Sequence, residues 1–195
     1  MAPEVRALTG AALANAMPDV ARLRIDVFRE WPYLYDGDLA YEERYLAPYA
    51  TAPDAIVVGA FEGDRLVGAS TGMPLSAHAE DFAAAFTATE LDMARVFYCA
   101  ESVLLPDFRG RGIGHRFFDL REDFARRRGF STSAFCAVIR PGDHPAKPPG
   151  YKPLDAFWRG RGYAPLPGAI ARFSWKDLGA ETETEKPLQV WTRPL

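Results

Sequence analysis

The 195-residue chain lacks the features that mark several specialised protein classes. It has only two cysteines, Cys99 and Cys136, which are too few and too far apart for a zinc-ligand pattern. No apolar run approaches the roughly 20 residues of a membrane span, and the N-terminus has neither the basic flank nor the apolar stretch of a signal peptide. We therefore expect a cytoplasmic protein with buried, reduced thiols, no metal site and no membrane association.

An excess of charge of one sign is also absent, since 23 basic residues stand against 26 acidic residues, a net charge of −3. This balance argues against a globally basic nucleic-acid-binding protein. What is present is a globular composition, 48% hydrophobic and 13% aromatic, which predicts a single domain over residues 1–195 with a full core. The charge is uneven along the chain, with −8 over residues 1–100 and +5 over residues 101–195.

The N-terminal half is predicted to alternate between strands and helices. A short strand over Glu4–Leu8 precedes a helix that Thr9 can cap and that Pro18 should kink or restart. A loop over residues 31–38 leads to a second helix with tyrosines at four-residue spacing. The other elements predicted in this half are a hairpin over residues 55–73 and an Ala-rich helix from about Ala77 to Ala94.

The C-terminal half contains a strand–helix–strand unit. Residues 95–105 are a near-continuous apolar run, predicted as one central strand. An amphipathic helix from Gly112 to Arg128 and a strand over residues 130–139 follow, which implies parallel strands and a right-handed crossover. The remaining predicted elements are a Pro-rich loop (141–153), a short helix (154–161) and closing strands (169–175 and 187–193) separated by an exposed ETETEK segment.

The stretch that carries chemistry is Glu101–Gly114, where three glycines in five residues lead into the amphipathic helix. Glycines let a backbone approach a ligand closely, and a helix N-terminus favours an anion such as phosphate. Residues 109–128 carry seven arginines against three carboxylates, a net charge of +4. The region has no lysine for a P-loop, and His115 stands where a dinucleotide fingerprint needs its third glycine.

The segment Arg109-Gly110-Arg111-Gly112-Ile113-Gly114 resembles the Arg/Gln-x-x-Gly-x-Gly/Ala signature of the GNAT superfamily of N-acetyltransferases. The order of elements matches over most of the chain, and residues 155–163, DAFWRGRGY, look like the family's second conserved region. The resemblance implies an α/β fold with a mixed central sheet of about seven strands, splayed between strands 4 and 5, and helices on both faces. It also implies acetyl-CoA as co-substrate, with contacts from Val103, Leu104, Arg109, Gly110, Arg111, Gly112, Ile113, Gly114 and Trp158.

The implied reaction is direct attack of a primary amine on a thioester, and such an amine must lose a proton because its pKa is about 10.4. Glu101 is the only carboxylate in the apolar run 95–105, where desolvation would raise its pKa, and the family often has a catalytic glutamate on this strand. We therefore predict Glu101 as the general base. The alternative is that Glu101 faces the open side of the sheet and pairs with an arginine.

The general acid for the departing thiolate is less defined. Many relatives have a tyrosine after the phenylalanine of the second region, but Trp158 stands there and has no proton of use. Tyr151, Tyr163 and His144 are candidates, or the thiolate leaves unassisted because a thiol pKa is about 8.5.

Residues 28–49 combine aromatic rings with carboxylates and hold five of the eight tyrosines. Such a mixture suits a cationic amine through cation–π and charge contacts, so we predict that the acceptor contacts Trp31, Tyr33, Tyr35 and Asp36. The alternative is that the rings only dock two helices onto the sheet. The Pro-rich residues 141–153 are either a lid over the acceptor or a rigid spacer.

The predicted function is transfer of an acetyl group from acetyl-CoA to a small, cationic amine. One alternative is a non-catalytic acyl-CoA-binding module, which would keep Arg109–Gly114 but need no base. Nucleic-acid binding by the Arg-rich helix is disfavoured by the net charge and by the lack of interleaved aromatic residues. The expected partner is therefore a small molecule, and the sequence leaves the oligomeric state open, a homodimer included.

Overall fold

The computed structural model describes residues 2–78, 84–86 and 89–195. The strands are β1 (Glu4–Leu8), β2 (Ile56–Glu62), β3 (Arg65–Pro74), β4 (Val96–Tyr98), β5 (Ser102–Leu104), β6 (Thr132–Val138), β7 (Ala164–Lys176) and β8 (Glu183–Pro194). The helices are α1 (Gly10–Phe28), α2 (Leu39–Thr51), α3 (Ile113–Arg127) and α4 (Asp155–Gly160). Short 3₁₀ turns cover Leu75–Ala77, Met93–Arg95 and Pro106–Phe108.

The strands form one mixed, mostly antiparallel sheet in the order β1-β2-β3-β4-β6-β8-β7, and β5 pairs with β3 beside this path. Among the strands of the described residues, β4 and β6 are the one parallel pair, joined through α3 as the strand–helix–strand pattern predicts. Apolar residues of α1 and α2 pack on one face of the sheet, whereas those of α3 pack on the other. The predicted α/β fold with helices on both faces is confirmed.

The sheet has eight strands instead of about seven because the run 95–105 is not one strand. It forms β4 and β5, separated by residues 99–101. In this run β4 pairs with β3 and β6, whereas β5 pairs with β3 alone. The two halves of the sheet therefore part at this break, and Glu101 lies in it. The apolar run indicated burial correctly, but burial alone does not show where a strand is interrupted.

Other local predictions differ in detail from the structure. Helix α1 continues through Pro18, and Thr9 occupies its N-cap position without a capping hydrogen bond from its side chain. The Ala-rich segment 77–94 lies partly outside the described residues, and its described ends belong to 3₁₀ turns. The segment ETETEK was predicted to be exposed, but Lys186 within it is buried in β8.

Both cysteines are buried and free, as expected. Among residues 2–78, 84–86 and 89–195, no helix combines the length and the apolar character needed to cross a membrane. The same residues contain no group of three or more side chains suited to hold a metal ion.

Candidate active site

The backbone before α3 forms an open cradle. Gly110 and Gly112 have φ angles of +73° and +78°, in the left-handed region that favours glycine. Nothing lies within 4 Å of the position that a Cβ would take at either residue. The first N–H groups of α3, from Ile113 and Gly114, have no partner within the helix and point out of its positive end. This geometry fits an anionic group such as a pyrophosphate.

The arginine side chains beside this cradle contact the protein itself. Arg109 donates from Nη1 to Glu30 Oε2 at 2.8 Å and from Nε to the Leu104 carbonyl at 3.0 Å. Arg111 donates to the Asp107 carbonyl at 2.7 Å. The Arg109–Glu30 pair is exposed, so it contributes little to stability and can exchange for an incoming anion. If this segment binds an anion as predicted, the contacts therefore come mainly from its backbone N–H groups.

The register of β5 determines which backbone groups face the gap in the sheet. The Glu101 carbonyl and the Leu105 N–H both bond to β3. Backbone direction alternates along an antiparallel strand, so Val103, midway between them, also directs its N–H and C=O to β3. Ser102 and Leu104 are the residues whose backbone groups face the gap. Of the two residues predicted to contact the cofactor here, Leu104 directs its backbone groups to the gap and Val103 directs them to β3. Ser102, which was not predicted, faces the gap as Leu104 does.

Glu101 lines a cavity of about 70 Å³ on the side of the sheet that α1 and α2 cover. Most of the wall is aromatic. Of the four residues predicted to contact the acceptor, Tyr33 and Tyr35 belong to this wall, and Trp31 and Asp36 do not. The other rings of the wall include Phe28, Tyr41, Tyr45, Tyr98, Phe173 and Trp175.

The carboxyl group of Glu101 is both buried and paired. The residue is 5% exposed, and its Oε2 lies 2.6 Å from Arg24 Nη1. Its Oε1 makes no well-formed hydrogen bond within the described part of the chain, although the Thr71 side chain lies near enough to lower the pKa of Glu101. Burial raises the pKa of Glu101, and the charge of Arg24 opposes that rise. The burial and the arginine pairing that the sequence analysis presented as alternatives therefore occur together at Glu101.

Arg24 and Glu42 were not predicted as site residues. Arg24 projects from α1, is 7% exposed and also donates from Nε to Glu42 Oε2, whereas Glu42 on α2 is fully buried. The pKa of Arg24 is raised because the nearby carboxylates outweigh the effect of burial. The only available sequence signal was the place of Arg24 on the buried stripe of α1, four residues after Val20, which a charged residue seldom occupies unpaired.

The predicted general acids do not lie beside Glu101. Tyr163 is on the α3 side of the sheet, 2.7 Å from Ser133 Oγ, and donates to Glu122 at 3.1 Å. Trp158 packs against Phe135 and Trp191, with ring centroids 5.0 and 5.1 Å apart. Tyr163 is therefore part of a buried network that stabilises α3 against the sheet.

Tyr151 and His144 lie in the Pro-rich segment and contact the loop over residues 31–38 through Trp31. The ring centroids of Trp31 lie 6.0 Å from Tyr151 and 5.1 Å from His144. Neither residue lines the Glu101 cavity. The segment therefore packs against the loop over residues 31–38 through the ring of Trp31.

Asp36 lies in a neighbouring cleft of about 290 Å³. Its carboxylate lies 2.8 Å from Lys176 Nζ, and this hydrogen bond lowers the pKa of Asp36. Its charge is therefore already balanced by Lys176, so the structure does not support Asp36 as a direct acceptor contact in the Glu101 cavity.

The loop that carries Tyr33 is held by Arg140, the second residue after β6. Arg140 donates to the carbonyls of Pro32 at 2.9 Å and Tyr33 at 2.6 Å, and it pairs with Asp177 at 2.7 Å. Trp175 Nε1 donates to the same Tyr33 carbonyl at 3.0 Å. These bonds fix the loop against the end of β7 and position the tyrosine rings over the cavity.

We expect Arg140→Met to raise the acceptor KM about tenfold, because loss of these charged hydrogen bonds lets the loop move. The dissociation constant for acetyl-CoA should stay unchanged. Arg172→Met is the matched control, since Arg172 lies exposed on β7 and makes only a surface pair with Glu185. Steady-state kinetics with both substrates would show this; an unchanged acceptor KM in Arg140→Met would contradict it.

The arginines of α3 are largely engaged with the protein. Arg121 is 1% exposed and donates to the carbonyls of Thr71 and Glu101, each at 3.0 Å. Arg126 pairs with Asp123 and Arg128 with Asp54. Several of the arginines that give residues 109–128 their +4 charge therefore bond within the protein. Arg121 is buried and cannot contact a nucleic acid.

Comparison with known proteins agrees with this arrangement. The model of the Acetyltransferase (GNAT) family matches residues 21–148. Ribosomal-protein-alanine N-acetyltransferase from Brucella melitensis is similar in fold, with a TM-score of 0.62 and 16% identity over 98% of this chain and 99% of that one. A GCN5-related N-acetyltransferase from Kribbella flavida has a TM-score of 0.58 and 18% identity, covering 100% and 98% of the two chains.

PaiA N-acetyltransferase from Thermoplasma acidophilum, solved in complex with coenzyme A, has a TM-score of 0.57 and 12% identity over 100% of both chains. No curated protein matches the sequence significantly. The family model spans more than half of the chain and includes the cradle, β5 and Glu101. The chain therefore belongs to the GNAT family of acetyltransferases and is an acyl-CoA-dependent N-acetyltransferase.

Proposed function

We propose that the protein transfers an acetyl group from acetyl-CoA to the primary amine of a small, cationic acceptor, with Glu101 as general base. The observation that carries this proposal is the Oε1 of Glu101, which makes no well-formed hydrogen bond within the described residues and is buried beside a cavity walled by aromatic rings. A carboxylate in such a place can take a proton from an ammonium group that enters the cavity.

The donor side is supported by the cradle and the gap in the sheet. The N–H groups from Gly110 to Gly114 would hold the pyrophosphate, and the backbone groups of Ser102 and Leu104 would bond to the pantetheine arm. Acetyl-CoA supplies the thioester, whose carbonyl must lie close to the Glu101 cavity. The cradle and Glu101 lie at opposite ends of β5, so one extended ligand along that strand can reach both.

The reaction then needs two proton losses from the nitrogen and one displacement. The ammonium group gives one proton to Glu101, and its nitrogen forms a bond to the thioester carbonyl carbon. The C–S bond then breaks, and the second proton leaves the nitrogen and passes through solvent to the departing thiolate. With a thiol pKa of about 8.5, the thiolate can leave without a dedicated acid. Burial raises the pKa of Tyr33 and Tyr98, which makes these cavity tyrosines weak proton donors.

A cationic acceptor is favoured by the charges around the cavity. Two carboxylates, Glu101 and Glu42, share one guanidinium, that of Arg24, so the buried group has a net charge of −1 when both are ionised. An ammonium group would balance that charge, and the surrounding rings would add cation–π contacts.

A panel of acceptors tests the proposal. Coenzyme A release and product mass would be measured with acetyl-CoA and aliphatic primary amines, diamines, anilines and alcohols of similar size. We expect the highest kcat/KM for amines that are cationic at neutral pH. Release of coenzyme A only by hydrolysis, or preference for uncharged acceptors, would contradict the proposal.

Variants at neighbouring residues separate the cavity from the outer cleft. We expect Tyr35→Ala to raise the acceptor KM about tenfold, through lost cation–π contacts. Asp36→Asn should change it by less than about twofold, because Lys176 already balances that carboxylate. The reverse order of effects would place the acceptor in the cleft that Asp36 lines.

A further inference from the structure

The buried group of Arg24, Glu42 and Glu101 has a feature that the reaction itself does not explain. Glu42 is fully buried, yet it does not line the cavity, so a bound acceptor cannot reach it. Burying a second carboxylate is costly unless it is paired, and the cation that pairs with Glu42 is the same arginine that holds the general base, with the Tyr35 hydroxyl also close to Glu42. This cost suggests that Glu42 acts on Glu101 through Arg24.

We propose that Glu42 is a positioning residue for the reaction, which draws Arg24 toward α2 and divides its charge between two carboxylates, so that Glu101 keeps its ability to accept a proton. This inference rests on the proposed role of Glu101 as base. Glu42 touches no reacting atom and acts only through the guanidinium.

The geometry of Arg24 supports this division. Its Nε bonds to Glu42 and its Nη1 bonds to Glu101, so each carboxylate engages a different nitrogen. The guanidinium also lies over the rings of Phe28 and Tyr45, 5.0 and 4.2 Å from their centroids. These contacts hold Arg24 in one place between the two carboxylates.

Without Glu42, the full charge of Arg24 would face Glu101. A carboxylate with an undivided arginine partner has a lowered pKa and is a weaker base. With Glu42 present, the second negative charge offsets part of that effect. Burial of Glu101 can then raise its pKa, as the structure indicates.

The other titratable groups around Glu101 are neutral or constant near neutral pH. Burial raises the pKa of the surrounding tyrosines and of Cys136, and it lowers the pKa of His78 to about 4. Arg121 bonds to the Glu101 carbonyl, and its charge also acts on the Glu101 carboxyl group. Arg24 and Glu42 act on the pKa of the general base more strongly than Arg121 does. The titratable and charged groups around Glu101 and its partners Arg24 and Glu42 are Tyr33, Tyr35, Tyr41, Tyr45, Tyr49, Tyr98, Cys99, Cys136, His78 and Arg121.

Two substitutions should move the pH profile in opposite directions. In Glu42→Gln, the amide oxygen still accepts from Arg24 but carries no charge, so the acid limb of kcat/KM should shift to lower pH by about one unit. In Arg24→Gln, the two carboxylates face each other without a cation, so the limb should shift to higher pH. Glu43→Gln is the matched control, an exposed residue next to Glu42 on α2, and should leave the profile unchanged.

A direct titration distinguishes failure of this inference from failure of the proposed function. The Glu101 carboxyl resonance in protein labelled with carboxyl-¹³C glutamate, assigned with Glu101→Gln, reports the protonation of Glu101 without turnover. A lower Glu101 pKa in Glu42→Gln than in the wild type supports the inference, even if no amine is acetylated. An unchanged pKa in folded Glu42→Gln overturns it, even if the wild-type enzyme acetylates amines.

If Arg24→Gln does not fold, the titration of Glu101 in Glu42→Gln tests the inference by itself. Two acid limbs that shift in the same direction would also overturn the inference, because a purely structural role predicts no opposition between the two variants.

Discussion

Replacing Glu101 with glutamine is expected to lower kcat by about 10²- to 10⁴-fold, the usual contribution of a positioned general base. Glutamine keeps the size of the side chain and an oxygen for Arg24, but it cannot take the proton of the attacking amine. The dissociation constant for acetyl-CoA should change little, because the cradle at Gly110–Gly114 lies beyond the opposite end of β5. Single-turnover kinetics at saturating acetyl-CoA measures the effect on chemistry.

Glu62→Gln is the control for this variant, since Glu62 is an exposed carboxylate at the end of β2. It should keep the wild-type rate. A loss of less than about threefold in Glu101→Gln would remove Glu101 from the chemistry. Loss of acetyl-CoA binding in step with turnover would instead assign Glu101 a role in the fold.

Gly112→Ala is expected to raise the dissociation constant for acetyl-CoA at least about tenfold. The φ angle of +78° strains any residue with a Cβ by about 1–2 kcal/mol. Relief of that strain would rotate the N–H groups before α3 away from the anion. The added methyl group would also occupy the open space beside the cradle. Isothermal titration with acetyl-CoA measures the change.

Gly129→Ala is the matched control, at the other end of α3. Its φ angle is +81°, and nothing lies within 4 Å of its Cβ position. Both variants should lower Tm by a similar few degrees, because the strain is alike. Only Gly112→Ala should bind acetyl-CoA more weakly. Equal affinities in the two variants would show that the cradle does not hold the pyrophosphate.

The features that local pattern determines could be predicted from the sequence. Helix α3 lies within one residue of its predicted bounds at each end, because the apolar stripe and the flanking glycines are local signals. The cradle followed from the same segment. The parallel pairing of β4 with β6 followed from the strand–helix–strand order and the handedness of crossovers.

The features that depend on distant contacts could not be predicted. The break at residues 99–101 arises because β5 pairs with β3, whereas β4 pairs with β6 as well as with β3. The apolar run 95–105 does not show which of its residues pair with which strand. The pairing of Arg24 with both Glu42 and Glu101 joins three segments that are far apart in the chain. In the sequence, Glu42 looks like a solvated helix residue, and the place of Arg24 on the apolar stripe of α1 does not show which carboxylates it meets.

Tyr163 is a second residue whose distant contacts could not be predicted from the sequence. A tyrosine in the second conserved region suggested acid chemistry, but the sequence does not show on which face of the sheet its hydroxyl lies. The structure places that hydroxyl among Ser133, Glu122 and α3, across the sheet from Glu101. A residue type near a motif is therefore weaker evidence for a catalytic role than a burial and contact pattern.

The most direct test of the account is the pH dependence of kcat/KM for one cationic amine, measured for the wild type and Glu101→Gln. Burial raises the pKa of Glu101, so wild-type activity should fall as pH drops through that raised value, at a pH above the usual 4.5. In Glu101→Gln this limb should disappear, and the rate should rise tenfold per pH unit toward the amine's own pKa. An identical acid limb in both enzymes would contradict Glu101 as the base.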